Sequence, residues 1–297
     1  MSLHKPTIFT GAATALITPF LKGAIDYEAL GNLIDTQIEQ GISALLVAGT
    51  TGEGSTLTVA ETVALTEFAR DRIGGRVPLL AGCGSNCTAR AVKLAGLLSD
   101  AGADALLAVT PYYNKTSDLG IVRHYHAIAD AAKKPLILYN VPSRTGFSMT
   151  LPHYRELAKH ERIVAVKEAS GDLTLLEALC DECGDSLDVY TGNDHQTLAA
   201  MKLGALGVIS VLSNILPAET SAMCHKFLAG DVAGARDLQL KYLDLVNALF
   251  CEVNPVPVKA ASVLMDICGP EIRLPLCEME PANLEKLKNV MKEYGLI

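Results

Sequence analysis

The sequence has no apolar run long enough to cross a bilayer. Its longest uncharged stretches, 6–21 and 203–218, are sixteen residues each, and both are interrupted by Gly, Pro, Ser, Thr or Asn. A spanning helix needs about 20 predominantly apolar residues. Basic clusters are missing too. With 33 acidic against 25 basic residues, a net charge of −8 and no Lys/Arg run, the chain lacks the electrostatic footprint of a nucleic-acid binder. It has no cleavable-signal pattern. Its eight cysteines (83, 87, 180, 183, 224, 251, 268 and 277) therefore read as free thiols of a cytosolic protein. Cys180-Asp181-Glu182-Cys183 is a lone Cys-x-x-Cys, without the further ligands a zinc site needs, so no metal site is expected. Gly and Pro are not in excess, with 24 and 13 in 297 residues. Together with 49% hydrophobic and 20% charged residues, this excludes disordered, collagenous and mucin-like chains.

What is present is a repeat of strand-like runs. Ala12–Ile17, Ala44–Ala48, Val77–Ala81, Asp104–Val109, Pro135–Tyr139, Ile163–Val166, Leu187–Thr191 and Ala205–Val211 recur about every 28 residues. Continuous apolar runs of this length suit parallel strands buried on both faces. Helical spacing separates them. Asp26, Thr58 (with Glu61 as a capping box), Ser117, Thr150 and Asp172 are expected N-caps. Gly41 and Gly74 are expected helix stops, and Gly184, Gly204 and Gly230 left-handed helix ends. Eight βα units in about 230 residues predict an α/β fold, a closed (β/α)8 TIM barrel over 1–230. Helices expected over Asp237–Phe250, Val258–Cys268 and Pro281–Tyr294 make 231–297 a C-terminal helical appendage. A doubly wound dinucleotide fold is the rival. Its GxGxxG is absent, since Thr18-Pro19-Phe20-Leu21-Lys22-Gly23 follows the first strand. No Walker loop is present either, and no cofactor is expected.

In such a barrel the chemistry sits at the C-terminal ends of the strands. Lys167 directly follows the sixth run. Burial would favour its neutral amine, which can form a Schiff base with a ketone. Tyr139 ends the fifth run, and a held phenol can relay protons. Thr50, Thr51 and Tyr113 add hydroxyls at the same face, and Arg144 adds a fork for a carboxylate. Taken singly, each has a bland reading as a solvated or core side chain. Their convergence on one mouth points to a Schiff-base lyase or aldolase acting on small anionic carbonyl compounds.

Three strings carry a specific resemblance. Gly49-Thr50-Thr51-Gly52-Glu53, Tyr139-Asn140-Val141-Pro142-Ser143-Arg144-Thr145-Gly146 and Val166-Lys167-Glu168-Ala169-Ser170-Gly171-Asp172 resemble the dihydrodipicolinate synthase / N-acetylneuraminate lyase family. The second string is the most specific and points to the synthase branch. The likeness runs from Gly11 to Lys259. It implies condensation of pyruvate with L-aspartate-4-semialdehyde to 4-hydroxy-tetrahydrodipicolinate, in lysine and diaminopimelate biosynthesis. It further implies that Lys167 forms the imine with pyruvate. Tyr139 would relay protons with Thr50 and with a Tyr113 inserted from a neighbouring subunit. Thr51 and the backbone at Ile209 would hold the pyruvate carboxylate, and Arg144 the semialdehyde carboxylate. Glu53 and Asn193 match motif positions and are expected to be structural. A homotetramer built from tight dimers is implied.

Three rival readings remain at this point. A catabolic member would cleave N-acetylneuraminate or a ketodeoxy sugar acid; Arg144 and the Thr50-Thr51 pair argue against it. A phosphate-binding barrel would want Gly-rich loops after strands 7 and 8, and the sequence there does not supply them. A non-enzymatic barrel serving as an interaction module is the third, and the presence of both Lys167 and Tyr139 argues against it. The resemblance also bears on regulation. Lysine-sensitive relatives use a histidine and a glutamate where this chain has Val59 and Arg90, while Asn86 and Tyr112 are retained. Insensitivity to lysine is expected.

Overall fold

The computed structural model describes residues 5–297. Eight parallel strands close into a barrel. They are β1 (Gly11–Ala15), β2 (Ala44–Val47), β3 (Leu79–Gly82), β4 (Ala105–Val109), β5 (Leu136–Asn140), β6 (Ile163–Glu168), β7 (Asp188–Thr191) and β8 (Gly207–Ser210). All eight expected runs are strands. Closure joins β1 to β8, with Gly11 opposite Gly207. A Cβ on Gly207 would lie 1.8 Å from the Gly11 carbonyl oxygen, so the seam needs a bare backbone there. A short hairpin, Phe20–Leu21 with Ala24–Ile25, follows β1.

Nine helices lie between and after the strands: α1 (Tyr27–Glu39), α2 (Val59–Ile73), α3 (Thr88–Asp100), α4 (Asp118–Ala131), α5 (Pro142–Thr145), α6 (Leu151–Leu157), α7 (Leu173–Cys183), α8 (Thr197–Lys202) and α9 (Pro217–Leu228). Their starts follow side-chain chemistry. Asp26 accepts from Ala29 N, Ser117 from Gly120 N, and Asp172 from Thr174 N and Leu175 N. Thr58 and Glu61 form the reciprocal capping box, and Thr150 forms one with His153. Each such cap satisfies backbone N–H groups that the first turn leaves without partners.

The barrel has two apolar layers. Inside lies a small-residue core that includes Ala13, Ala15, Ala44, Leu46, Leu80, Leu107, Ile137 and Tyr190. Phe9 stacks on Tyr190 at 4.2 Å, and the Tyr190 hydroxyl donates to the Phe9 carbonyl. Lys5 donates to the carbonyls of Ala158, His160 and Ile163, tying the N-terminal segment to the chain entering β6. Outside, a continuous layer joins strands to helices, with Leu45, Leu65, Leu106, Tyr125, Leu138 and Tyr154 among its members.

The segment after residue 230 forms α10 (Val232–Lys241), α11 (Leu243–Leu249), α12 (Val256–Leu264) and α13 (Pro281–Glu293). Leu245, Leu249, Val258, Ala261, Leu287 and Met291 from these helices belong to the same outer layer as the barrel. Three local expectations change. The single helix expected over 237–250 is two helices that meet at Tyr242. The break lets the Tyr242 ring meet Tyr294 at 5.4 Å, and the Tyr294 hydroxyl donates to the Lys241 carbonyl. The helix expected over 258–268 begins at Val256 and ends at Leu264, and Asp266 turns left-handed. Gly184 is right-handed, not left-handed (φ −58°). A Cβ there would sit 2.3 Å from the Cys180 carbonyl, so close approach rather than handedness asks for glycine.

Candidate active site

Register sets the centre of the site. On neighbouring strands Tyr139 stands opposite Lys167, and Lys167 opposite Tyr190. Side chains at one level of a closed parallel sheet share the barrel interior. Lys167 is 5% exposed. Its Nζ lies 4.8 Å from the centre of the Tyr139 ring. Gly192, just past β7, makes room for it: a Cβ there would meet Lys167 Cε at 2.8 Å.

The amine is electrostatically unsupported. Burial pushes Lys167 down to about 8; the Asp194 charge opposes this and the Arg144 charge adds to it. Asp194 is itself buried and already engaged. It accepts from the Ser210 hydroxyl at 2.5 Å and from the backbone N–H groups of Val211 and Leu212. Burial raises its own carboxyl. Glu168, next along β6, is engaged as well. It accepts from Asn140 Nδ2, the Tyr154 hydroxyl at 2.7 Å and the Ser170 N–H. Both acids hold the frame around Lys167 without forming a salt bridge with it. Sequence reasoning missed their part. Glu168 sits in the third string and Asp194 just past β7, but their partners come from β5, α6 and β8.

Tyr139 is 7% exposed and its phenol is raised by burial; the Arg144 charge and a hydrogen bond with Thr50 draw it back. Thr50 comes from the tight turn after β2. Glu53 N–H donates to the Thr50 carbonyl and Gly54 N–H to the Gly49 carbonyl. The turn packs on β3, where a Cβ at Gly82 would lie 2.2 Å from the Ala48 carbonyl. Arg144 is presented by the one-turn helix α5, which Pro142 starts and the left-handed Gly146 ends. Its Nη2 donates to the Asn254 carbonyl at 2.9 Å, and it forms no ion pair among the described residues.

A cavity of about 610 Å³ opens here, lined in part by Thr50, Tyr139 and Arg144. Lys167, Thr51 and Ile209 are buried and are not part of its lining. Thr51 Oγ1 accepts from Asn254 Nδ2 at 3.0 Å. Ile209 pairs with Ala13 in the barrel wall. Tyr113 does not join its own chain's site. It is 93% exposed, has φ +71° and does not line the cavity. Glu53 is buried against Lys259 of α12, and Asn193 donates to Gln196 next to it in the loop after β7. Both make intramolecular structural contacts. All eight cysteines are free thiols. Among the described residues no group of three or more His, Cys, Asp or Glu side chains is placed to hold a metal ion, and no helix is long and apolar enough to cross a membrane.

Comparison with known proteins agrees with this geometry. The 4-hydroxy-tetrahydrodipicolinate synthase of Clostridium perfringens is 48% identical over 291 residues, covering 98% of this chain and all of that protein. The structure of the dihydrodipicolinate synthase of Acinetobacter baumannii in complex with pyruvate superposes with a TM-score of 0.95 at 42% identity, over 98% of this chain and 100% of that one. A monomeric dihydrodipicolinate synthase variant superposes equally well, at 36% identity over 98% of both chains. Residues 8–294 match the dihydrodipicolinate synthetase family, and the chain belongs to that family.

Proposed function

We propose that the chain catalyses the condensation of pyruvate with L-aspartate-4-semialdehyde, giving 4-hydroxy-tetrahydrodipicolinate for lysine and diaminopimelate biosynthesis. The observation that carries this is the unpaired amine of Lys167, pushed down to about 8 and lying 4.8 Å from the centre of the Tyr139 ring. A neutral amine attacks the pyruvate ketone, water leaves, and an imine forms. Loss of a methyl proton gives the enamine, whose carbon attacks the aldehyde. The amino group of the semialdehyde then displaces Lys167 and closes the ring. Tyr139 relays the protons through Thr50. Thr51 and the Ile209 backbone hold the pyruvate carboxylate. Arg144 meets the carboxylate of the second substrate, since a guanidinium fork matches that geometry.

Tyr113 serves the site of a neighbouring copy. A tyrosine left 93% in water in the left-handed region has no packing in its own chain to hold that costly conformation. This supports a homotetramer built from tight dimers. Free thiols and a biosynthetic role support a cytoplasmic location.

Borohydride reduction in the presence of pyruvate, followed by peptide mapping, tests the covalent step. An adduct on Lys167 is expected, forming faster as pH rises through about 8, because deprotonation supplies the nucleophile. A coupled assay comparing aspartate semialdehyde with sugar-type aldehydes tests the acceptor. An adduct on another lysine would overturn the mechanism, and a preference for sugar aldehydes would overturn the substrate.

A further inference from the structure

Asn254 lies between α11 and α12, outside the barrel and 203 residues from Thr51 in sequence. It is buried, and it touches both groups assigned to substrate carboxylates. Its Nδ2 donates to Thr51 Oγ1 at 3.0 Å, and its main-chain carbonyl accepts from Arg144 Nη2 at 2.9 Å. Its Oδ1 is buried without a partner.

The direction of the Thr51 bond matters. A hydroxyl has one hydrogen and two acceptor lone pairs. With the amide donating, the Thr51 hydrogen remains free, and among the described residues no protein acceptor takes it. The reverse amide orientation would turn that hydrogen to Asn254 Oδ1. It would also turn the NH2 group into the buried position where the amide has no hydrogen-bond partner. As it stands, one amide hydrogen is spent on Thr51 and the orphan is a carbonyl oxygen, which costs less than an unmet N–H. The Nδ2 donation into Oγ1 is therefore what keeps Thr51 a donor.

We propose that Asn254 is a positioning residue: it fixes the Thr51 hydroxyl as a hydrogen-bond donor to the substrate carboxylate, while its own carbonyl anchors the Arg144 side chain. The proposal rests on the reading of Thr51 as the pyruvate-carboxylate group. It makes an ordering that ordinary conservatism does not. An aspartate is nearly isosteric, but when ionised it only accepts. Thr51 would have to donate to it, and a negative charge would stand beside an anionic substrate. Alanine removes the bond but leaves the Thr51 hydrogen free. A purely structural asparagine would rank the two the other way.

The test measures the pyruvate KM of Asn254→Ala, Asn254→Asp, Thr51→Val and Thr51→Val/Asn254→Asp, with melting curves and with borohydride trapping at saturating pyruvate. Asn254→Ala should raise the pyruvate KM about tenfold and Asn254→Asp about a hundredfold. Imine should still be trapped in both. In the Thr51→Val background, Asn254→Asp should add clearly less than it does alone, because the hydroxyl part of its effect is already lost and only the charge part remains. An Asn254→Asp effect equal to or smaller than that of Asn254→Ala overturns the proposal. Should Asn254→Ala fail to fold, Asn254→Asp decides alone: a variant that melts like wild type and keeps the wild-type pyruvate KM overturns it. An unchanged pyruvate KM in Thr51→Val overturns instead the assignment of Thr51.

Discussion

Lys259 and Lys167 are each at most 5% exposed, and burial lowers the amine of both. Their surroundings then part. Lys259 on α12 is ion-paired with Glu53, whose other oxygen accepts from Arg273 N–H at 3.0 Å, and it lies over the Phe20 ring at 4.3 Å. The Glu53 charge pulls its pKa back up. Lys167 has carboxylates nearby, but each is occupied by neutral donors. The first pocket keeps a lysine charged and inert, and it ties the turn after β2 to the C-terminal helices. The second leaves a lysine free to lose its proton. What separates a structural lysine from a nucleophile is therefore not burial but whether a carboxylate oxygen is left to form a direct ion pair with the amine.

Exchanging each lysine for methionine separates the two pockets. Lys167→Met should abolish turnover and the borohydride adduct. It should leave the fold intact or stabilise it, since burying an unpaired amine costs free energy that methionine does not. Lys259→Met should do the reverse. The imine should still form in folded protein, but stability should fall by about 3–5 kcal/mol, because Glu53 is left as a buried charge without its counter-ion. Urea unfolding and pyruvate trapping on both variants check this. A stable, trapping-deficient Lys259→Met would break the comparison.

The two pockets were not equally legible in the sequence. Lys167 follows a continuous apolar run, so its place at a strand end could be read locally, as could the eight strands and the caps at Asp26, Thr58, Ser117 and Asp172. The Glu53–Lys259 pair spans 206 positions and the Asn254–Thr51 bond 203. No periodicity relates residues that far apart; only closure of the barrel against α12 brings them together. Glu53 is a motif position, but nothing local points to its partner Lys259. The position of Tyr113 after the fourth strand puts its hydroxyl at the barrel mouth, but its own chain leaves it in water, and a place at a neighbouring copy's site is what the resemblance alone implies.

A smaller effect is expected at Arg144, which stands between the pockets: its guanidinium reaches the Asn254 carbonyl near α12, and its charge is felt by both Lys167 and Tyr139. Arg144→Ala should cut kcat/KM for aspartate semialdehyde roughly ten- to a hundredfold, the loss of one charge-assisted contact of about 1.5–3 kcal/mol. Pyruvate imine should still be trapped. Full turnover with unchanged acceptor affinity would remove Arg144 from second-substrate binding.

The smallest expected effect is none at all, from added L-lysine. The 610 Å³ cavity continues past Thr50 and Tyr139 to Val59, Tyr112, Arg90 and Lys93. Its lining has three cationic side chains, Arg90, Lys93 and Arg144, and no Asp or Glu. Neither Arg90 nor Lys93 forms an ion pair among the described residues. This inverts the Lys259 pocket, where a cation is held because Glu53 faces it. Here an incoming ammonium meets cations and no carboxylate. Resemblance pointed to Arg90 where lysine-sensitive relatives use a glutamate; the structure adds Lys93 to the same wall. Arg90 and Lys93 are exposed, so at about 4 Å in water each like-charge contact opposes binding by roughly 1 kcal/mol. Binding at millimolar strength amounts to only about 4 kcal/mol in total, so two such contacts remove about half of it. A lysine dose–response on the wild-type enzyme should stay flat through the submillimolar range. Clear inhibition there would mean that a carboxylate from another chain enters this cavity, doing for a bound lysine what Glu53 does for Lys259.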